Sequence, residues 1–187
     1  MLELPPTLLL LPLMPISFIE PRLPHHAAEL FAVMSDPLLY EYVDVAHRPA
    51  TADALRERIE RNATGKSPDG LQDWLGWVIK NESGNIVGFL TATIHQDGDA
   101  HIAYGIGSRF WGNGYAKCAT KQLLLRLSQR DCVRRFCIIA ERENTRSVLL
   151  AHTLGFVEEA SESERQKNSL SLSEILLHKV ATDDKPP

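Results

Sequence analysis

Arg109-Phe110-Trp111-Gly112-Asn113-Gly114-Tyr115-Ala116 sets two glycines in a turn between a strand-like segment and a long amphipathic stretch. A helix that starts there leaves its first backbone N–H groups without intrahelical partners, and glycine keeps side chains from covering them. Oriented amides and the helix dipole both favour an anion at such a turn, and a pyrophosphate fits it. Downstream, Ala116, Ala119, Leu123 and Leu127 share one stripe, which predicts a helix over 113–129. Upstream lie a strand over 100–106 and two apolar runs, 72–80 and 86–94, joined by the hairpin signal Asn81-Glu82-Ser83-Gly84-Asn85. Those runs are apolar on both faces, so they belong inside a sheet.

Towards the N-terminus, Leu8-Leu9-Leu10-Leu11 reads as a buried edge or near-edge strand. It lacks the basic start and small-residue cleavage site of a signal peptide, and no apolar run approaches the length of a membrane span. Ala27, Leu30, Phe31 and Met34 predict a helix around 25–35, with His25-His26 as its solvated start. Asp36-Pro37 caps and opens a short helix. Thr51 caps another that carries Leu55, Ile59 and Ala63 on one face, with Glu57 and Arg61 as an i,i+4 pair. Ser67-Pro68-Asp69-Gly70 and Gln96-Asp97-Gly98-Asp99 are turns. After a strand over 134–141, Asn144 opens a helix that Gly155 ends. Residues 155–160 and 170–179 form a last strand pair, joined by the polar stretch Ser161–Ser169. The tail, 181–187, is read as disordered, and residues 1–180 as one domain.

With 187 residues, 44% of them hydrophobic, the chain can bury a core without metals or disulfides. A net charge of −4 with no basic stripe argues against nucleic acid and suits a cationic or neutral substrate better than an anionic one. Cys118, Cys132 and Cys137 show no metal or redox spacing and read as small core residues of a cytoplasmic protein, and the seven histidines show no metal-binding pair.

Two glycine patterns compete for the phosphate. Gly105-Ile106-Gly107 starts like a dinucleotide fingerprint, but the third glycine is replaced by Phe110, or by Lys117 when counted from Gly112. The hairpin meander before it also lacks the β-α-β crossover of a dinucleotide fold. Arg109-x-x-Gly112-x-Gly114 instead resembles the acyl-CoA signature of the GNAT acetyltransferase superfamily. Glu143-Asn144-Thr145-Arg146-Ser147 with Leu154-Gly155-Phe156 resembles the second conserved block of that superfamily, and the likeness covers roughly 6–179. It is closest to the branch that contains the ribosomal-protein N-terminal acetyltransferases.

The resemblance implies an α/β (α+β) GNAT fold: a mixed, mostly antiparallel central sheet of about seven strands flanked by helices, with the fourth and fifth strands splayed for the cofactor. It implies acetyl-CoA as cosubstrate, no metal, and transfer of the acetyl group to a primary amine. The acceptor would be a peptide N-terminus or a small molecule, and the protein a monomer or homodimer acting away from nucleic acid and membrane. Cofactor contacts would come from Ile106, Arg109, Phe110, Trp111, Gly112, Asn113, Gly114, Tyr115, Ala116, Asn144 and Ser147. Asn144 also suits a helix cap, and the two roles are compatible because its amide has a donor and an acceptor end.

Members often carry a tyrosine one turn into the second-block helix as the acid for the departing thiolate. Ala151 stands there, so Ser147 or solvent takes that role. Alternation on the 100–106 strand puts Ile102, Tyr104 and Ile106 on one face and His101, Ala103 and Gly105 on the other. His101 is a candidate base acting through water, or a polar residue at a strand end; Glu141 and Asp97 are further candidates. A backbone N–H near Ile106 would hold the oxyanion. An α-amine is roughly 10% neutral at pH 7 and a lysine amine about 0.04%, so a site without an evident carboxylate favours a weakly basic amine. Alternatives are an acyltransferase acting on a small metabolite or antibiotic, and a catalytically silent acyl-CoA-binding module. By the resemblance the acceptor pocket lies within 36–66 and 160–170.

Overall fold

The computed structural model describes residues 17–181. The expected strand at Leu8–Leu11 and the expected disordered tail beyond Ala181 lie outside these residues. The first strand described, β1, is Phe18–Pro21. After a single 3-10 turn at Pro24–His26 comes α1, Ala27–Met34, and after two further 3-10 turns, at Pro37–Tyr40 and Val45–His47, comes α2, Ala52–Arg61. The caps are those that the residue types dictate. Asp36 accepts from the Leu38 N–H and Thr51 from the Ala54 N–H, both at 3.0 Å. His26 departs from expectation. It is 5% exposed, its Nδ1 accepts from the Leu23 N–H at 3.1 Å, and its Nε2 lies 2.9 Å from Glu20, so a buried histidine pins the start of the helical segment to β1.

A meander follows: β2 Asp73–Lys80, β3 Ile86–Ile94 and β4 Asp99–Ile106. The first hairpin turns on Asn81, whose side chain accepts from the Ser83 and Asn85 N–H groups, with Gly84 at φ 82°. A crossover helix, α3 Tyr115–Ser128, then leads to β5 Arg135–Glu141, which runs parallel to β4 as such a connection requires. The described elements end with α4 Thr145–Thr153, β6 Val157–Glu159, α5 Glu162–Lys167 and β7 Glu174–Val180. The polar stretch Ser161–Ser169 therefore contains a short helix rather than a plain connection. It has two acidic residues in its first turn and two basic ones in its last, and buries none of its residues.

The seven strands among the described residues form one sheet in the order β1-β2-β3-β4-β5-β7-β6, antiparallel except for β4–β5. One face packs with α3 and α4 around Leu90, Ile102, Leu123, Leu127, Ile138 and Phe156. The other packs α1 and α2 through Leu30, Leu55, Ile59 and Val78. Arg126 and Gln122 on α3 donate to the carbonyls of Ile19 and Ser17, tying the crossover helix to the β1 edge. Of the cysteines only Cys137 is a core residue; Cys118 is half-buried and Cys132 exposed.

Candidate active site

β4 pairs with β5 over only three positions, Asp99↔Arg135, Ala100↔Phe136 and His101↔Cys137. Beyond His101 the two strands diverge. The Gly107 N–H donates to the Val87 carbonyl at 3.0 Å and the His95 N–H to Asp99, so the odd-numbered residues of β4 are those bonded to β3. Antiparallel ladders alternate, so the backbone groups of Ile102, Tyr104 and Ile106 point the other way; the Ile102 N–H closes the last ladder bond to the Cys137 carbonyl, while the Ile102 carbonyl, both groups of Tyr104 and the Ile106 N–H face the gap left by β5. That gap is a cleft of about 450 Å³ lined by Ile102, Tyr104, Ile138, Glu141, Asn144 and Ser147 and covered by the segment from Tyr42 to His47.

The glycine turn sits at the end of the same strand. Gly112 and Gly114 both have φ 77°, a left-handed conformation that costs other residues roughly 1–2 kcal/mol. A Cβ added at Gly112 would meet nothing within 4 Å, so one side of the turn is open. The N–H groups from Gly112 to Lys117 find no acceptor among the described residues, and the ladder of α3 begins with Cys118 bonding to Gly114 at 3.0 Å. Trp111 ties the turn to the strand, donating from Nε1 to the Ile106 carbonyl at 2.7 Å. Asn113 donates to the carbonyls of Phe110 and Trp111 and so braces the turn. The Arg109 guanidinium stacks over the Phe110 ring at 4.6 Å. Tyr115 is buried, its hydroxyl 3.3 Å from Glu82, and Ala116 is half-buried in the first turn of α3. Residues 109–116 thus follow directly on the open end of β4 at Ile106.

Asn144 and Ser147 close its other wall. Asn144 caps α4, its Oδ1 accepting from the Ser147 N–H at 3.1 Å, which leaves its donor end for the cleft. The Ser147 Oγ lies 2.8 Å from the Tyr104 hydroxyl. Burial raises the Tyr104 phenol above its ordinary value against a smaller lowering by that hydrogen bond, so it is neutral at pH 7 and able to donate. Tyr104 was not singled out as a site residue in the sequence. Its signal was alternation, which sets a tyrosine between Ile102 and Ile106 on the face that meets α4.

His101 is not part of this wall. It occupies the last paired position of β4 on the opposite face, its ring 4.7 Å from that of His95, and burial together with His95 holds its imidazole below the ordinary value. Beside it lie Asp99 and Cys137, with ligand atoms of all three within 4.8 Å of one another. The Asp99 carboxylate is already held by Arg135 at 2.8 and 2.6 Å and by Lys167 at 2.7 Å. Burial alone would raise it, but these hydrogen bonds outweigh burial and hold it well below the carboxylate range. Burial pushes the Cys137 thiol up to about 12. Two cations and a protonated thiol oppose a metal ion here, and the cluster is an ion-pair seat under the cleft. Asp97, another candidate base, is engaged by Lys167 at 2.8 Å, whereas Glu141 lines the cleft together with Asp44 and Glu174.

Residues 18–157 match the acetyltransferase (GNAT) domain family. The chain belongs to the GNAT acetyltransferase family. No curated relative matches it. Among solved structures it is similar to RimL, the ribosomal L7/L12 α-N-protein acetyltransferase, in complex with coenzyme A, with 18% identity, TM-score 0.75, and coverage of 90% of this chain and 96% of that one. It is similar to the ribosomal-protein-S5-alanine acetyltransferase from Vibrio fischeri, with 18% identity, TM-score 0.72, and coverage of 91% and 100%. The spermidine N-acetyltransferase from Vibrio cholerae in complex with CoA and spermine gives 14% identity, TM-score 0.70, and coverage of 88% and 95%. At such identities the shared property is the fold. Among the described residues of this acetyltransferase no helix is long and apolar enough to cross a membrane.

Proposed function

We propose that this GNAT acetyltransferase carries the acetyl group of acetyl-CoA to a primary amine, on a peptide N-terminus or a small molecule, by direct attack inside one ternary complex. The observation that carries the reading is the unpaired inner edge of β4 beyond His101, facing Asn144 and Ser147 across a cleft, with the open glycine turn following on the end of the same strand. The residues fit the cosubstrate: amides from Gly112 to Lys117 without an acceptor suit a pyrophosphate, and Arg109 adds a cation at the rim. The Ile102 carbonyl, both ladder groups of Tyr104 and the Ile106 N–H suit an extended, amide-bearing pantetheine arm.

Within the cleft the Ile106 N–H donates to the oxyanion that forms as the amine adds to the thioester carbonyl. Ser147, hydrogen-bonded to the neutral Tyr104, delivers a proton to the departing thiolate. A thiol pKa near 8.5 keeps that contribution modest at pH 7. Glu141, on the cleft wall, takes the proton lost by the amine, and Asp44 and Glu174 draw a cationic amine inward. Holding both substrates side by side supplies most of the acceleration. Three cysteines that form no disulfide fit a cytoplasmic setting.

A turnover assay that detects free thiol over a panel of peptides and small amines tests the reading. Amine-dependent thiol release is expected. Tight CoA binding with no thiol release from any amine would overturn it and leave an acyl-CoA-binding module.

A further inference from the structure

A second cavity, of about 420 Å³, opens on the α2 side of the sheet, between the strand β2–β3 pair and the C-terminal end of α2. Its wall is a row of residues on one face: Trp74 opposite Thr93, and Gly76 opposite Thr91. Arg22 enters from the end of β1, anchored by its backbone N–H to the Gly76 carbonyl at 2.9 Å. Its guanidinium lies flat over Gly76, where an added Cβ would come within 2.7 Å of Nη2. Among the described residues that guanidinium has no hydrogen-bond or ion-pair partner. The charge nearest in effect is that of Arg58, another cation, which among the described residues bonds to the His47 carbonyl at 3.1 Å and the Met34 sulfur at 3.9 Å. Burial, with the Arg58 charge adding, lowers Arg22 to about 10, and it is still charged at pH 7. A half-buried cation that faces a cavity with hydroxyls and an indole around it, and no carboxylate to meet it, is a seat for an oxyanion.

The row continues towards the active site. Thr91 is the register partner of Ala103, and Ala103 lines the cleft. Two strand spacings of about 4.8 Å separate the Gly76 seat from Ala103, and Ile106 lies three residues of about 3.3 Å further along β4, so the seat and the oxyanion site are roughly 14 Å apart. That is the length of about four extended residues. We propose that Arg22 binds a carboxylate of the acceptor itself, so that the substrate class is a short peptide or amine with an anionic group roughly 14 Å from the nucleophilic nitrogen. This rests on the acetyl-transfer reading and adds the acceptor's charge pattern to it: ammonium towards Asp44, Glu141 and Glu174, carboxylate towards Arg22. The net charge of −4 favours cationic or neutral substrates on the whole, and the local field at Arg22 reverses that preference at one point.

The test is calorimetric titration of tetraalanine with a free C-terminal carboxylate, and of tetraalanine amide, into the CoA-loaded protein. The free acid is expected to bind about tenfold or more tightly than the amide. Arg22→Met should bring the two to parity. So should Gly76→Ala, which keeps the arginine and displaces its guanidinium, and a melting curve on each variant checks the fold. Equal binding of acid and amide by the native protein, no binding of either, or a preference that survives both substitutions would overturn the proposal. Inorganic phosphate should compete with the free acid; if phosphate alone binds in an Arg22-dependent way and the acid shows no preference, the seat serves a free anion and the acceptor assignment falls. CoA affinity is measured first on the same sample. Its absence would sink the acetyl-transfer reading, whereas parity with CoA bound sinks only the carboxylate seat.

Discussion

From Asp99 to the Ile102 N–H, β4 is bonded to β3 on one side and to β5 on the other, whereas from the Ile102 carbonyl to Ile106 it keeps only β3. The paired half is also the charged half. Asp99 is 5% exposed and ties β4 to Arg135 on β5 and to Lys167 on α5, and Arg135 reaches Glu164 on the same helix at 2.8 Å. The open half of β4 itself offers neutral groups: backbone amides and carbonyls, and a phenol bonded to Ser147. A sheet that must part along one strand is stitched by ion pairs below the parting, and the groups exposed above it are the ones a thioester-bearing chain can bond. Stability is concentrated in one half of the strand and chemistry in the other.

Substitutions separate the two halves. Gly114→Trp, which fills the left-handed turn at the open end, should abolish CoA binding in calorimetry while melting within a few degrees of the native protein. Asp99→Ala should act in the opposite sense. Removing the acid takes the shared carboxylate from Arg135 and Lys167, which keep Glu164 and Asp97, and should cost about 2 kcal/mol in urea unfolding, with the CoA affinity of the folded fraction retained. Should Asp99→Ala weaken CoA binding as much as Gly114→Trp does, the two halves are one unit and the comparison fails. Tyr104→Phe should lower kcat about tenfold with little change in KM for acetyl-CoA, and Ser147→Ala should do the same without adding to it in the double variant, since the pair acts as one donor.

The smallest effect is in the pH dependence. Asp99 titrates below its ordinary value in the fold, so its contribution is complete above the unfolded carboxylate pKa near 4 and is lost as pH falls from there towards the folded value. The urea midpoint of the native protein should fall below about pH 4, and that of Asp99→Asn should fall less over the same interval.

The open half was the more legible in the sequence. Gly112-x-Gly114 and the Asn144 cap work through backbone conformation and neighbours within four residues, so residue type and spacing suffice to find them. The meander and the crossover helix follow from apolar periodicity in the same way. The stitched half depends on Asp99, Arg135 and Lys167 meeting across 36 and 68 residues of chain, and no local pattern announces that. The helix carrying Lys167 was hidden because it buries nothing and so has no apolar stripe, although Ser161 with Glu162 and Glu164 marks a helix start. His101 suggested a base by alternation alone, which gives the face of a strand but not what covers it. Arg22 was silent for a related reason: an arginine after a short strand is ordinary until the sheet denies it a carboxylate.

Backbone hydrogen exchange with and without acetyl-CoA tests the central claim most directly. The amides of Tyr104 and Ile106 and those from Gly112 to Lys117 should slow when acetyl-CoA is added, while those of Asp99, Ala100, His101 and Ile102, already hydrogen-bonded, keep their rates. Slowing spread evenly along β4, or none at Ile106 and the glycine turn with acetyl-CoA bound, would contradict the account.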